Sequence, residues 1–229
     1  MKVNNIALML FSIAMAHAKL VMLIRHGEKI NDDYTDLSPR GQARAHCLIN
    51  VFGNNGTYLS PQKIYAQNPT EKKQSTRPRD TVVPLADALG LQVDLSYTSG
   101  QIKKLTSDIM SSSDEVTLVS WSNDKIPDIA EKFGINSPPD WDSDVFDDIW
   151  MIYDSTTTTY LKDSHSKRSA YTGTDGYSME IVKQNIDTCI SENTNNYSSN
   201  ATSDSTKLSY SYSLFMAIVG MVVCFMINI

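Results

Sequence analysis

Positive charge, cysteine and long apolar runs are all scarce in this chain. Twenty Lys and Arg against 26 Asp and Glu leave a net charge of −6. An acidic surface repels nucleic acid and an anionic membrane face, so neither is expected as a partner. Only three cysteines and four histidines occur in 229 residues. No internal repeat is present. The apolar runs at the two ends both fall short of the ~20 residues of a membrane-spanning helix.

Those two ends read as delivery signals. Residues 1–18 carry a basic start at Lys2, an apolar run from Ile6 to Ala16 and the small-residue pattern Ala16-His17-Ala18. That order is a secretory signal peptide with cleavage before Lys19; a retained membrane helix is the alternative. His17 would leave with the leader. Residues 191–213 are a Ser/Thr/Asn-rich stalk, and residues 214–229 (LFMAIVGMVVCFMINI) are an apolar tail with no Lys or Arg after it. Small residues, a polar spacer and an apolar terminus form a glycosylphosphatidylinositol signal, with Asn200 or Ser203 as the attachment residue. A short tail anchor is the competing reading. Both put the protein at a membrane, on the outer face of a cell or in its wall.

The remaining segment, residues 19–190, is long enough for one domain with a sizeable core. With Cys224 lost in the tail, Cys47 and Cys189 are left, either as a disulfide suited to an oxidising compartment or as two buried thiols. Asn55, Asn196 and Asn200 each begin an Asn-x-Ser/Thr glycosylation acceptor.

Strand and helix patterns alternate along the domain. LVMLI at 20–24, KIYA at 63–66, VTLVSW at 116–121 and DIWMIY at 148–153 are short apolar runs expected as buried strands. Ser38 followed by Pro39 starts a helix through Ala43, Ala45 and Leu48. Val82 to Leu89 forms a second helix ended by Gly90, and Ile126 to Phe133 a third ended by Gly134. The alternation predicts an α/β domain, a three-layer sheet with helices on both faces. Ligand sites in such sheets gather beyond the carboxyl ends of the strands.

Arg25-His26-Gly27-Glu28 stands at such an end. A neutral imidazole can attack phosphorus, an arginine can neutralise phosphoryl oxygens and a glycine lets an anion approach the backbone. With this motif, Leu37, Ser38, Gly41, Arg44 and Ala45, and Arg77 four residues before Thr81, the chain resembles the histidine phosphatase, or phosphoglycerate-mutase-like, superfamily. The resemblance spans about Leu20 to Tyr153, and within the superfamily it is to a small secreted fungal branch. It implies a phosphoglycerate-mutase-like fold, His26 as the nucleophile that becomes phosphorylated, and Arg25 and Arg77 as phosphate-binding residues. Arg79 is the nearest rival to Arg77. No metal or other cofactor is implied.

One position departs from that pattern. Where the family places a second histidine after the strand equivalent to Val116–Ser120, this chain has Asn123. An amide can donate a hydrogen bond to phosphate but brings no charge, and such a loss commonly costs ~2.7–4 kcal/mol of transition-state stabilisation. His46, in a helix among core-like neighbours, and His165, in a polar loop, offer no replacement. Asp124 is either a general acid or the cap of the helix after it. Trp141, Phe146, Trp150 and Tyr153 read as core packing. The short segment from Leu91 to Val116 leaves little material for a lid, so a small open site is expected. Two functions remain: a phosphomonoesterase using a phosphohistidine, and an inactive surface protein that keeps the pocket for an anionic ligand.

Overall fold

Strand β1 (Leu20–Arg25) is buried along its whole length, so its alternate side chains must serve two cores. Leu20, Met22 and Ile24 enter one, and Val21 and Leu23 the other. The computed structural model of the protein describes residues 19–31, 33–154, 171–174, 176–195 and 197. The expected signal peptide, the tail, His165, Asn196, Asn200 and Ser203 lie outside the described residues. Among the described residues no helix is long and apolar enough to cross a membrane.

The first core packs against helices α1 (Pro39–Cys47), α2 (Ile49–Phe52) and α3 (Arg77–Leu89), together with Ile190 from a helix over residues 187–195, α6. Ser38 caps α1 by accepting a hydrogen bond from the Gly41 N–H, and Pro39 occupies the first turn, where its missing N–H costs nothing. Gly90 ends α3 at φ 68°, a left-handed conformation that favours glycine. The second core packs against α4 (Ile102–Ser111) and α5 (Ile126–Lys132). Helices therefore cover both faces of the sheet, and the three-layer expectation holds.

The sheet has seven strands in the order β3-β2-β4-β1-β5-β7-β6. Strands β2 (Lys63–Ala66), β3 (Val93–Asp94) and β4 (Val116–Trp121) run parallel with β1. Strands β5 (Asp148–Asp154), β6 (Tyr171–Thr172) and β7 (Tyr177–Lys183) join as an antiparallel extension. The last two strands, β3 and α4 were not among the elements expected. Strand β7 buries only Met179 and Val182 on its two sides, too weak an apolar signal to stand out. The α6 helix carries regular structure past residue 190 into the segment read as stalk.

Cys47 of α1 and Cys189 of α6 form a disulfide with their Cα atoms 6.0 Å apart, which settles the choice between a bond and two thiols. Trp141 stacks on Trp150 with ring centroids 5.1 Å apart, and both are buried with Tyr153, as core packing requires. Phe146 differs, since its ring lies under the Arg25 guanidinium at 3.8 Å.

His46 stands on α1 as expected, itself exposed between the buried Ala45 and Cys47. One reading of Asp124 is corrected. Asp124 caps no helix: it lies within a 3-10 turn, Asn123–Lys125, and Lys125 stands at the start of α5.

Candidate active site

The helix after β1 lies on one face of the sheet and the helix after β4 on the other. Adjacent parallel strands whose connections depart in opposite directions leave a crevice at their carboxyl ends. His26 follows β1 there, Ser122 follows β4 and Gln67 follows β2. They line one cleft of about 440 Å³ with Tyr34, Lys72, Lys73 and Arg77.

The His26 N–H donates to the Trp121 carbonyl at 3.0 Å, continuing the β1–β4 pairing by one residue. The ring Nδ1 lies 2.8 Å from the Gly27 carbonyl. A carbonyl only accepts, so Nδ1 carries the proton and Nε2 keeps its lone pair. Burial pushes the imidazole from 6.5 down to about 4; the Gly27 carbonyl opposes this, and the charges of Arg77, Arg25 and Lys29 add to it. The ring is thus neutral at physiological pH, the state a nucleophile needs.

Gly27 is fixed on both sides. Its N–H donates to the Thr81 hydroxyl at 2.8 Å, and that hydroxyl donates to the Arg77 carbonyl at 2.7 Å. A Cβ on Gly41 would come within 2.4 Å of the Glu28 carbonyl oxygen, so this glycine is what lets α1 approach the loop. Glu28 accepts from Arg44 through Nε at 3.0 Å and Nη2 at 2.8 Å, a bidentate pair, and from Arg40 at 3.0 Å. Burial pushes the Glu28 carboxyl up, but the Arg44 hydrogen bonds and charge outweigh it and hold the group below its ordinary range. Arg44 also donates to Gln184 at 2.8 Å. The Glu and Arg of these motifs are therefore scaffold for the loop that carries His26.

Arg77 begins α3, donates from Nη1 to the Tyr34 carbonyl at 2.9 Å and lines the cleft. Arg79 is engaged by its neighbour Asp80 at 2.7 Å and does not line the cleft. Arg25 is placed differently from expectation. Its Nη1 donates to the carbonyls of Ser143 and Val145, the latter at 3.2 Å, and Arg25 is absent from the cleft lining although its charge reaches His26. Its buried Nε has no hydrogen-bond partner among the described residues.

Asn123 is half-buried beside Ser122 but not part of the cleft wall. Asp124 is 57% exposed and pairs with Lys73 at 3.8 Å, which puts it at the rim. Asn55 is exposed in a turn after α2, open to a glycan.

No family model matches this chain, and no curated protein matches it. Among solved structures the chain is similar to SixA from Nakamurella multipartitia, described as a candidate phosphohistidine phosphatase. The identity is 16% and the TM-score 0.39, over 61% of this chain and 86% of that one.

Gln67, Ser122, Tyr34 and the two cleft lysines were not singled out from sequence. Gln67 and Ser122 directly follow predicted strands KIYA and VTLVSW, so strand ends alone could have found them. In the structure they are joined by the Ser122 hydroxyl donating to Gln67 Oε1 at 2.9 Å.

Proposed function

We propose that this chain is a phosphomonoesterase that works through a phosphohistidine at His26. The observation that carries the reading is a buried, neutral imidazole, its Nδ1 proton held by the Gly27 carbonyl, at a cleft that also presents Arg77, Lys72 and Lys73.

Nε2 attacks the phosphorus of a monoester, the N–P bond forms and the bond to the leaving oxygen breaks. The leaving oxygen takes a proton from an acid at the rim, for which Asp124 is the candidate from sequence and Asp33 and Glu71 are the carboxyl groups in the cleft wall. Nδ1 keeps its proton and donates it in the hydrogen bond to the Gly27 carbonyl, which steadies the cationic phosphoimidazole. Water then attacks phosphorus, giving a proton back to the rim carboxylate, the N–P bond breaks with its electron pair returning to Nε2, and phosphate leaves with His26 and the acid restored. Arg77 and the lysines offset charge on the phosphoryl oxygens.

Asn123 and Arg25 favour a second reading, an anion-binding surface protein without turnover. Asn123 supplies no charge, and Arg25 is held by the Ser143 and Val145 carbonyls. In both readings we take the chain to be exported and held at an outer membrane face by a lipid anchor or tail, on the pattern of residues 1–18 and 191–229. The Cys47–Cys189 bond supports an oxidising compartment.

Hydrolysis of an aryl phosphate from acid to neutral pH, with His26→Ala as control, tests the proposal. Turnover abolished by His26→Ala supports it. A folded protein that binds inorganic phosphate without turnover supports the second reading.

A further inference from the structure

We infer that Thr81 is a positioning residue that fixes the proton of His26 on Nδ1 and thereby aims Nε2 into the cleft. Thr81 lies in α3, away from the loop that carries His26, and is fully buried. A threonine hydroxyl has one proton, and here it is given to the carbonyl of Arg77, one helical turn back, at 2.7 Å. With its proton committed, the oxygen can only accept towards the loop. It accepts the Gly27 N–H at 2.8 Å, and the Gly27 carbonyl in turn takes the His26 Nδ1 proton at 2.8 Å.

Direction is what makes this chain of contacts informative. Gly27 has no side chain to restrict its backbone, so its carbonyl points where its neighbours hold it. Among the described residues, Thr81 is the side chain that accepts the Gly27 N–H. Reversing the hydroxyl would set two donors against each other, so Thr81, acting as an acceptor, holds Gly27, and through the Gly27 backbone it holds the carbonyl that the Nδ1 proton meets. The same hydroxyl joins the nucleophile's loop to the backbone of Arg77, whose guanidinium lines the cleft. Nucleophile and phosphate cation are thereby held at a fixed separation.

The kinetic consequence rests on His26 being the nucleophile; the tautomer does not. The test uses 15N-resolved NMR of the His26 ring in the full chain, with wild type, Thr81→Val and Thr81→Ser, beside aryl phosphate hydrolysis and a thermal melt. Wild type is expected to carry the proton on Nδ1. Thr81→Val, similar in shape without the hydroxyl, should give a mixture of tautomers. Its kcat should fall about tenfold, since small misplacements of reacting groups cost up to about a hundredfold. KM should change less than about threefold, because Arg77 keeps its hold on the Tyr34 carbonyl. Thr81→Ser should restore tautomer and kcat together.

An unchanged tautomer and kcat in folded Thr81→Val overturn the inference, as does Thr81→Ser as impaired as Thr81→Val. If Thr81→Val does not fold, a wild-type or Thr81→Ser ring protonated on Nε2 overturns it, and Nδ1 in both sustains it. If wild type hydrolyses nothing, the proposed activity fails, and the tautomers still decide the role of Thr81.

Discussion

His26 contributes its own pH dependence to the stability of this molecule. Its imidazole is pushed from 6.5 down to about 4, chiefly by burial. Between those values the unfolded chain binds a proton that the folded chain refuses. The stability contributed by this group is therefore complete above pH 6.5, declines as pH falls through that window and is gone below about pH 4. A shift of this size corresponds to about 3 kcal/mol. Urea unfolding at neutral pH and near pH 4 should show wild type losing about 3 kcal/mol more than His26→Gln. Equal losses would mean that the folded protein does not hold the ring neutral. The residue itself was legible in the sequence, because a histidine beside Arg25 and Gly27 follows a buried strand. The direction of Arg25 was not. Nothing in its sequence neighbourhood announces that the carbonyls of Ser143 and Val145 and the Phe146 ring, more than a hundred residues away, would take its guanidinium.

At the scale of elements, α1 works as a clamp on the site. Arg44, buried on α1, grips Glu28 with two hydrogen bonds and reaches Gln184 after β7. Gln184 continues the network by donating to the Phe146 carbonyl at 3.0 Å. Three distant segments are thus tied to the loop that holds His26. Removing one partner of a buried pair leaves an uncompensated charge. Arg44→Met should lower stability by about 3 kcal/mol in urea unfolding, with Arg40→Met, whose contact is largely exposed, costing less than about 1 kcal/mol. Similar small losses for both would show that Glu28 does not depend on α1. The helix was readable from Ser38, Pro39 and its apolar spacing. Its task was not: Gly41 and Arg44 belong to the motif behind the resemblance, but their purpose shows only when the Glu28 backbone is seen against the one and its carboxylate against the other.

For the whole molecule, the apolar runs fixed most of the architecture in advance. Strands β1, β2, β4 and β5 are buried on both faces and so read as continuous apolar runs. The elements that escaped notice lie at the margins: β3 and β6 are two residues each, and β7 alternates weakly. The site divides along the same line. Arg25 and His26 stood out at a strand end by their chemistry, whereas Gln67 and Ser122 are neutral and only their place after a strand marks them. The Cys47–Cys189 bond closes most of the domain across 142 residues of sequence. In the chain-entropy account a loop of that length stabilises by about 5 kcal/mol, and strain or residual unfolded structure reduces the figure. The Cys47→Ser, Cys189→Ser double variant should lose about 3–5 kcal/mol in urea unfolding, by release of α6 from α1. A loss under about 1 kcal/mol would mean that packing of Ile186 and Ile190 holds that helix without the bond.

The central claim concerns the intermediate. Rapid alkaline quenching of the protein during turnover of an aryl phosphate, followed by peptide mass spectrometry, tests it most directly. The account predicts one phosphoryl group on the imidazole of His26, stable to base, lost in acid and absent from His26→Ala. Turnover with no phosphorylated His26, or with the phosphoryl group on another residue, would contradict it.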